Sequence, residues 1–216
     1  MKPTIKTEIV SIILLIIMAI GAWYFYQNLP EVVPSHWNFA GEIDGYSSRT
    51  VAAVAIPLLA LGMYALFLIL PYFDPKREHY ENFGKVYAIF KTAILALLAI
   101  LYFAANLNGL GYNVPIGTLT PILIGGLFIV IGNYLSKVKS NWFVGIRTPW
   151  TLSSEEVWNK THRVSGKLFM LVGLIFILEP FMPPSFRAPI FIASMVILLV
   201  GTIGYSYWEY RKEKNN

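Results

Sequence analysis

Six long apolar runs constrain the fold of this chain more than any other feature. They cover about Ile9–Tyr26, Val51–Tyr72, Val86–Leu107, Pro115–Leu135, Val164–Leu178 and Pro189–Tyr207. About 20 helical residues cross a hydrocarbon core of about 30 Å, and a helix satisfies its own backbone polar groups while doing so. Charged residues make up only 13% of the chain, against about a quarter in soluble domains, which excludes a soluble fold. The expected fold class is all-α: a polytopic membrane protein with six transmembrane helices and a small cap after the first. The fifth run is the shortest and holds Lys167, and the third holds Lys91. Both ammonium groups are expected to snorkel to the interface on their aliphatic stems.

The basic residues set the expected orientation. The N-terminal stretch carries Lys2 and Lys6, and Lys76, Arg77, Lys85 and Lys91 surround the second connector. Lys137, Lys139, Arg147, Lys160, Arg163 and Lys167 follow the fourth run, and Arg211, Lys212 and Lys214 close the chain. These are 15 of the 17 Lys and Arg residues; only Arg49 and Arg187 fall on the opposite side. The positive-inside rule then places both termini and the segment 132–167 in the cytoplasm and the loop 28–50 outside. The net charge of +5 is read as a topology signal and an attraction to anionic membrane lipids. No direct nucleic-acid partner is expected.

Lys2 and Lys6 ahead of an apolar run, with small residues from Ala19 to Ala22, resemble a secretory signal. The run exceeds the usual ~7–15 apolar residues, and Trp23 to Tyr26 form an interfacial aromatic belt, so an uncleaved anchor is expected. The boundary of an N-terminal two-span module, 1–73, is set before the charged second connector. A four-span region, 74–216, follows.

Several chemistries find no support. The chain has no cysteine, which excludes disulfides, thiolate metal sites and cysteine nucleophiles. No Asp or Glu falls within the six runs as drawn; Glu179 and Glu209 mark run ends, and Asn106 and Asn133 lie near them. Ion-coupled transport is therefore disfavoured, because it needs ionisable groups at mid-membrane. There is no HExxH, no phosphate-binding glycine loop and no nucleophile elbow. His162 near Ser153, Ser154 and Glu155 matches no recognised nucleophile and base. No enzyme activity, catalytic residue, cofactor or metal is expected. Gly125, Gly126, Gly132, Gly201 and Gly204 suit either close helix contact or ordinary membrane-helix usage.

The outer loop reads NLPEVVPSHWNFAGEIDGYSSRT from Asn28 to Thr50. Pro30 and Pro34 favour extended chain, Asp44-Gly45 signals a turn, and Val32, Val33, Trp37 and Phe39 provide an apolar side. A hairpin lying on the helix ends fits this pattern. His36, Glu42 and Asp44 are metal-ligand types, but one histidine and two acids in a loop more often form a solvated surface. A peptide ligand is the alternative: His36, Trp37, Asn38, Glu42 and Asp44 offer carboxylates for a cation and an aromatic face.

The segment from Gly132 to Arg163 is too rich in chemistry for a plain connector, with three of the six Trp residues. Asn141 to Ile146 are expected in the headgroup zone, and Thr148 extended because Pro149 follows it. Ser153 and Glu156 stand at capping-box spacing, which predicts a helix start there that runs through Trp158, His162 and Arg163 into the fifth span. Val157, Trp158, Thr161, Val164 and Leu168 recur at helical spacing. Lys160 and Arg163 can reach lipid phosphates, and His79 is expected to be solvated. Arg147, with its planar fork, is expected either to hold Glu155 or Glu156 or to bind a partner.

The run Gly132-Asn133, Asn141, Gly145-Ile146-Arg147-Thr148-Pro149-Trp150-Thr151-Leu152, Val157-Trp158 and His162-Arg163 strongly resembles the SdpI family. The outer loop, with Leu29-Pro30, Pro34, His36-Trp37-Asn38, Gly41-Glu42 and Asp44-Gly45, looks like the N-terminal module commonly joined to it. The family's namesake protects a producing cell from a secreted peptide toxin and, when toxin is present, holds a transcriptional repressor at the membrane. The resemblance thus implies two partners: an extracytoplasmic peptide toxin and a cytoplasmic transcriptional regulator. The implied regulator-binding residues are Asn133, Asn141, Gly145, Arg147, Thr148, Pro149, Trp150, Thr151, Trp158, His162 and Arg163. The expected function is immunity to a membrane-active peptide, with signalling. The alternatives are a membrane sensor without immunity activity, a small-molecule transporter or a purely structural membrane protein.

Overall fold

A computed structural model describes residues 4–215 of the chain; Lys2, counted above for orientation, lies outside them. Six helices are long and apolar enough to cross a membrane, as the six runs require. They are α1 (Ile5–Asn28), α2 (Arg49–Phe73), α3 (Tyr80–Gly109), α4 (Ile116–Leu135), α6 (Glu155–Leu178) and α7 (Pro184–Asn215). A hairpin of β1 (Val32–Trp37) and β2 (Ile43–Ser48) lies between α1 and α2, and the short helix α5 (Pro149–Ser153) precedes α6. This is a multi-pass membrane protein. Six crossings bring both ends of the described chain to the side opposite the hairpin.

Helices α1, α2 and α3 share one core, with Met18, Phe25, Ala53, Leu95 and Tyr102 at its centre. Phe128 of α4, Val172 and Phe176 of α6 and Leu198 of α7 form another. The closest approach is between α4 and α6. A Cβ on Gly132 would stand 2.5 Å from the Gly166 carbonyl oxygen, and one on Gly166 would stand 2.6 Å from that of Gly132. One turn pair further along, Gly125 and Gly173 repeat the arrangement at 2.5 and 2.6 Å. Lipid tails are as apolar as leucine, so membrane helices associate through such tight backbone packing. Gly126 and Gly204 face open space, whereas Gly201 meets Leu168.

The assignment of Lys91 to the interface is wrong. Lys91 is 1% exposed and its ammonium lies 2.6 Å from Glu8 Oε1. Helix α1 begins at Ile5, four residues before the apolar run drawn from the sequence, so Glu8 belongs to a membrane-spanning helix. Tyr64 also donates to Glu8, at 3.0 Å. A charge buried this deeply is retained only when paired and hydrogen-bonded. Lys167, by contrast, is exposed.

Candidate functional site

At the hairpin end, the turn falls earlier than Asp44-Gly45. Asp44 and Gly45 are inside β2, and the chain reverses at Asn38–Glu42. Asn38 Oδ1 accepts from the backbone N–H of Ala40 and Glu42, and Gly41 takes φ +86°, a left-handed conformation that suits glycine. Gly45 instead permits close strand contact, since a Cβ there would come 2.8 Å from His36 Cβ. His36 Nδ1 pairs with Asp44, and Asn38 Nδ2 donates to Glu42. No cluster of three metal-ligating residues forms among the described residues.

The hairpin rests on the helix ends, as its apolar residues suggest. Val33 is buried against Gly109 of α3, and Gly41 abuts Gly117 at the start of α4. The Phe39 ring lies 5.5 Å from that of Phe191 on α7. The hairpin therefore bridges the two helix groups. Val32, however, is exposed.

At the opposite end, the connectors 74–79 and 136–148 are stitched together by side chains. Buried Asp74 accepts from Tyr80 Oη at 3.0 Å, from the Trp142 N–H at 3.0 Å and from the Lys76 N–H at 2.8 Å. Lys76 donates to Ser140 Oγ at 2.8 Å, and His79 Nδ1 donates to the Ser140 carbonyl at 2.7 Å. His79 is thus half-buried and bonded, not solvated. Asn141 is fully buried; its Oδ1 accepts from the N–H of Phe143 and Val144, and its Nδ2 donates to the carbonyls of Lys139 and Val144. A short Asx-type side chain can replace strand or helix partners for a bent backbone in this way.

His162 anchors the next part of the loop. Its Nδ1–H donates to the Trp158 carbonyl at 2.8 Å, and its Nε2 accepts from the Ile146 N–H at 3.0 Å. That arrangement needs the neutral ring with the proton on Nδ1. The ring stacks on Trp158 with centroids 4.0 Å apart, and Trp158 Nε1 donates to the Val138 carbonyl at 2.8 Å. Gly145, at φ +114°, passes directly over this ring, and a Cβ there would collide with Nε2.

The helix start lies one residue beyond the one read from Ser153 and Glu156. Ser154 caps α6, accepting from the Val157 N–H, because Pro149–Ser153 already forms α5. Thr148 is extended, as Pro149 requires, and makes a capping box with Thr151. Thr148 Oγ1 also donates to Ser206 on α7 at 3.1 Å. Neither Glu155 nor Glu156 holds Arg147. The Arg147 guanidinium donates to the Trp142 carbonyl at 2.8 Å, while Glu156 pairs with Lys160 at 2.8 Å. Lys160 also meets buried Glu209 at 3.1 Å, so its charge is held within the protein.

Residues 137–207 match the SdpI/YfhL protein family, and residues 12–61 match a domain of unknown function, DUF1648. The chain is also 28% identical over 207 residues to the Immunity protein SdpI of Bacillus subtilis (strain 168), spanning 96% of this chain and 97% of that protein. Over these matched residues the chain is similar to the SdpI family. No solved structure matches it.

The motif residues divide by burial. Asn141, Thr148, Thr151, Trp158 and His162 are buried and form the internal frame of the loop. Asn133, Gly145, Arg147, Pro149 and Arg163 are exposed, and Trp150 is half-buried against Tyr207, with ring centroids 5.0 Å apart. Of the helical-spacing set, Val157, Trp158 and Thr161 face the bundle, but Val164 is exposed. Asp74, Tyr80, Ser140 and Ser206 were not singled out in the sequence. Asp74-Pro75 is a turn-initiating pair, the one local signal that marks Asp74; Tyr80 donates to Asp74 six positions before it, while Ser140 and Ser206 meet partners 64 and 58 positions away.

Proposed function

We propose that this protein confers immunity to a secreted membrane-active peptide toxin and relays toxin binding to a soluble regulator. The single observation that carries the reading is the match to an immunity protein along 96% of the chain. The orientation read from the basic residues puts the hairpin outside and the stitched connectors in the cytoplasm.

The geometry suits a two-ended device. The hairpin, with His36, Trp37, Asn38, Glu42 and Asp44, contacts α3, α4 and α7. Helices α4 and α6 then run to the opposite end, where α6 supplies Trp158 and His162 beneath the loop bearing Arg147. A toxin that binds one arrangement of the hairpin and helices more tightly than another shifts the population of loop states. The exposed residues Trp142, Arg147, Pro149 and Arg163 then provide the regulator-facing surface, while the buried motif residues hold that surface in shape. A polar hollow of about 210 Å³ beside it, lined by His79, Asn82, Lys139, Ser140, Glu155 and Asn159, adds hydrogen-bonding groups.

The test is survival of a toxin-sensitive bacterium expressing the chain, challenged with the namesake's peptide toxin and with an unrelated membrane-active peptide. Protection against the first peptide alone supports immunity. Equal killing by both, with membrane insertion verified, removes protection against that toxin and leaves the sensor reading.

A further inference from the structure

Two adjoining cavities lie beneath the hairpin, of about 360 Å³ and about 340 Å³. Both touch Ser35, Trp37, Ile116 and Thr120, so they meet where the hairpin crosses the start of α4. The first extends toward Phe176, Glu179 and Phe191; the second extends between α2 and α3 toward Ala52, Tyr102 and Asn106. Each has the size of a small-ligand site, about 300–1,000 Å³ in general, with the usual mix of apolar walls and few polar groups.

Three polar groups on these walls are unmatched. Among the described residues, five buried side-chain polar atoms lack a hydrogen-bond partner, and three of them, Glu179 Oε2, Asn106 Oδ1 and Ser47 Oγ, belong to residues that line the cavities. Asn106 spends its Nδ2 on the carbonyls of Tyr102 and Ala52, which leaves its acceptor oxygen over. Glu179 is the exception among the buried acids. Glu8 is paired with Lys91, Glu209 with Lys160, and Asp74 accepts three hydrogen bonds. Glu179 is 4% exposed, and no Lys or Arg among the described residues stands within 4.0 Å of it. Its neighbour Arg187 is committed elsewhere, to the carbonyls of Pro180, Met182 and Phe39.

We infer that this paired cavity seats an apolar peptide segment bearing an ammonium group, with the ammonium matched to Glu179. Unmatched acceptors in an apolar wall select a ligand that brings N–H donors, and the buried carboxylate selects a cationic one. An extended peptide supplies both, since its backbone N–H groups can reach Asn106 while its apolar side chains occupy the space flanking Trp37. The inference deepens the immunity reading, because it places the toxin-recognising chemistry under the hairpin rather than on its outer surface.

The probe is a short synthetic Leu/Ala-rich peptide with one lysine, titrated against the full chain in nanodiscs, beside the same peptide with that lysine acetylated. Saturable binding that weakens about tenfold or more on acetylation, and equally in Glu179→Gln, is expected from the loss of one charge-assisted hydrogen bond. Thr120→Phe, which narrows both cavities and leaves the Glu179 side chain itself unaltered, also weakens it, whereas Glu78→Gln at the opposite end does not. Equal binding of the two peptides, or full binding by Thr120→Phe, overturns the proposal. Competition by phosphatidylethanolamine nanodiscs but not phosphatidylglycerol ones, with no peptide saturation, also overturns it and assigns the carboxylate to a lipid ammonium. Cell survival separates the two readings: toxin protection retained by Glu179→Gln and Thr120→Phe overturns this site alone. Peptide binding without protection by the unaltered chain removes the immunity reading alone.

Discussion

Glu8 and Lys91 form an ion pair inside the three-helix group α1–α3, with an Nζ to Oε1 distance of 2.6 Å and both side chains buried. Eighty-three positions separate them in the chain. Tyr64 adds a hydrogen bond to Glu8 from α2, and Ser11 and Thr92 lie 3.2 Å apart one turn further along, so polar contacts join all three helices. Removal of one partner strands a charge in a low-dielectric interior. Lys91→Met or Glu8→Leu alone is expected to cost about 3–5 kcal/mol, and the double variant much less, because it removes both charges together. Thermal unfolding in detergent, followed by circular dichroism, measures the three variants. A double variant as unstable as the sum of the singles rules out the pairing.

The α4–α6 crossing makes a second prediction. Gly132→Val places carbon on the Gly166 carbonyl and is expected to destabilise by about 1–3 kcal/mol, while Gly126→Val, facing open space, does not clash. The same unfolding assay compares them, and similar melting shifts in the two variants exclude the close crossing.

His162 holds the Ile146 backbone through Nε2. His162→Leu leaves that N–H unmatched, at a cost of about 1–3 kcal/mol confined to the loop. Hydrogen exchange at residues 141–148 should quicken while the interior of α3 stays protected. Unchanged exchange in the loop contradicts this frame.

Arg147 is exposed and makes its side-chain hydrogen bond to a carbonyl of its own loop. Arg147→Ala is expected to shift stability by no more than about 0.5 kcal/mol. In the relay reading it also abolishes toxin-dependent membrane recruitment of a tagged soluble repressor, assayed by fractionation. Normal recruitment removes Arg147 from the regulator-facing surface.

Six helices were legible in the sequence because each apolar run reports a cost local to itself. The hairpin was foreseeable from Pro30, Pro34 and its apolar residues, although its turn was not. Gly45 reads as a turn residue, yet it serves strand contact with His36, and Asn38 with Gly41 turns the chain. The motif segment stood out by its residue types, but the division between frame and surface did not. Asn141 and Arg147 look equally polar in a sequence; one is fully buried and the other exposed.

Membrane class and the number of spans can be read from residue order alone, because hydrophobic transfer and helix satisfaction are settled over about 20 contiguous residues. The packed bundle adds that Lys91 pairs with Glu8, that Asp74 ties Tyr80 to Trp142, that Gly132 meets Gly166 and that Glu179 Oε2 is left unmatched. Those facts depend on which helix faces which, and a side chain's burial and partners are properties of the packed bundle, not of its own neighbourhood in the chain.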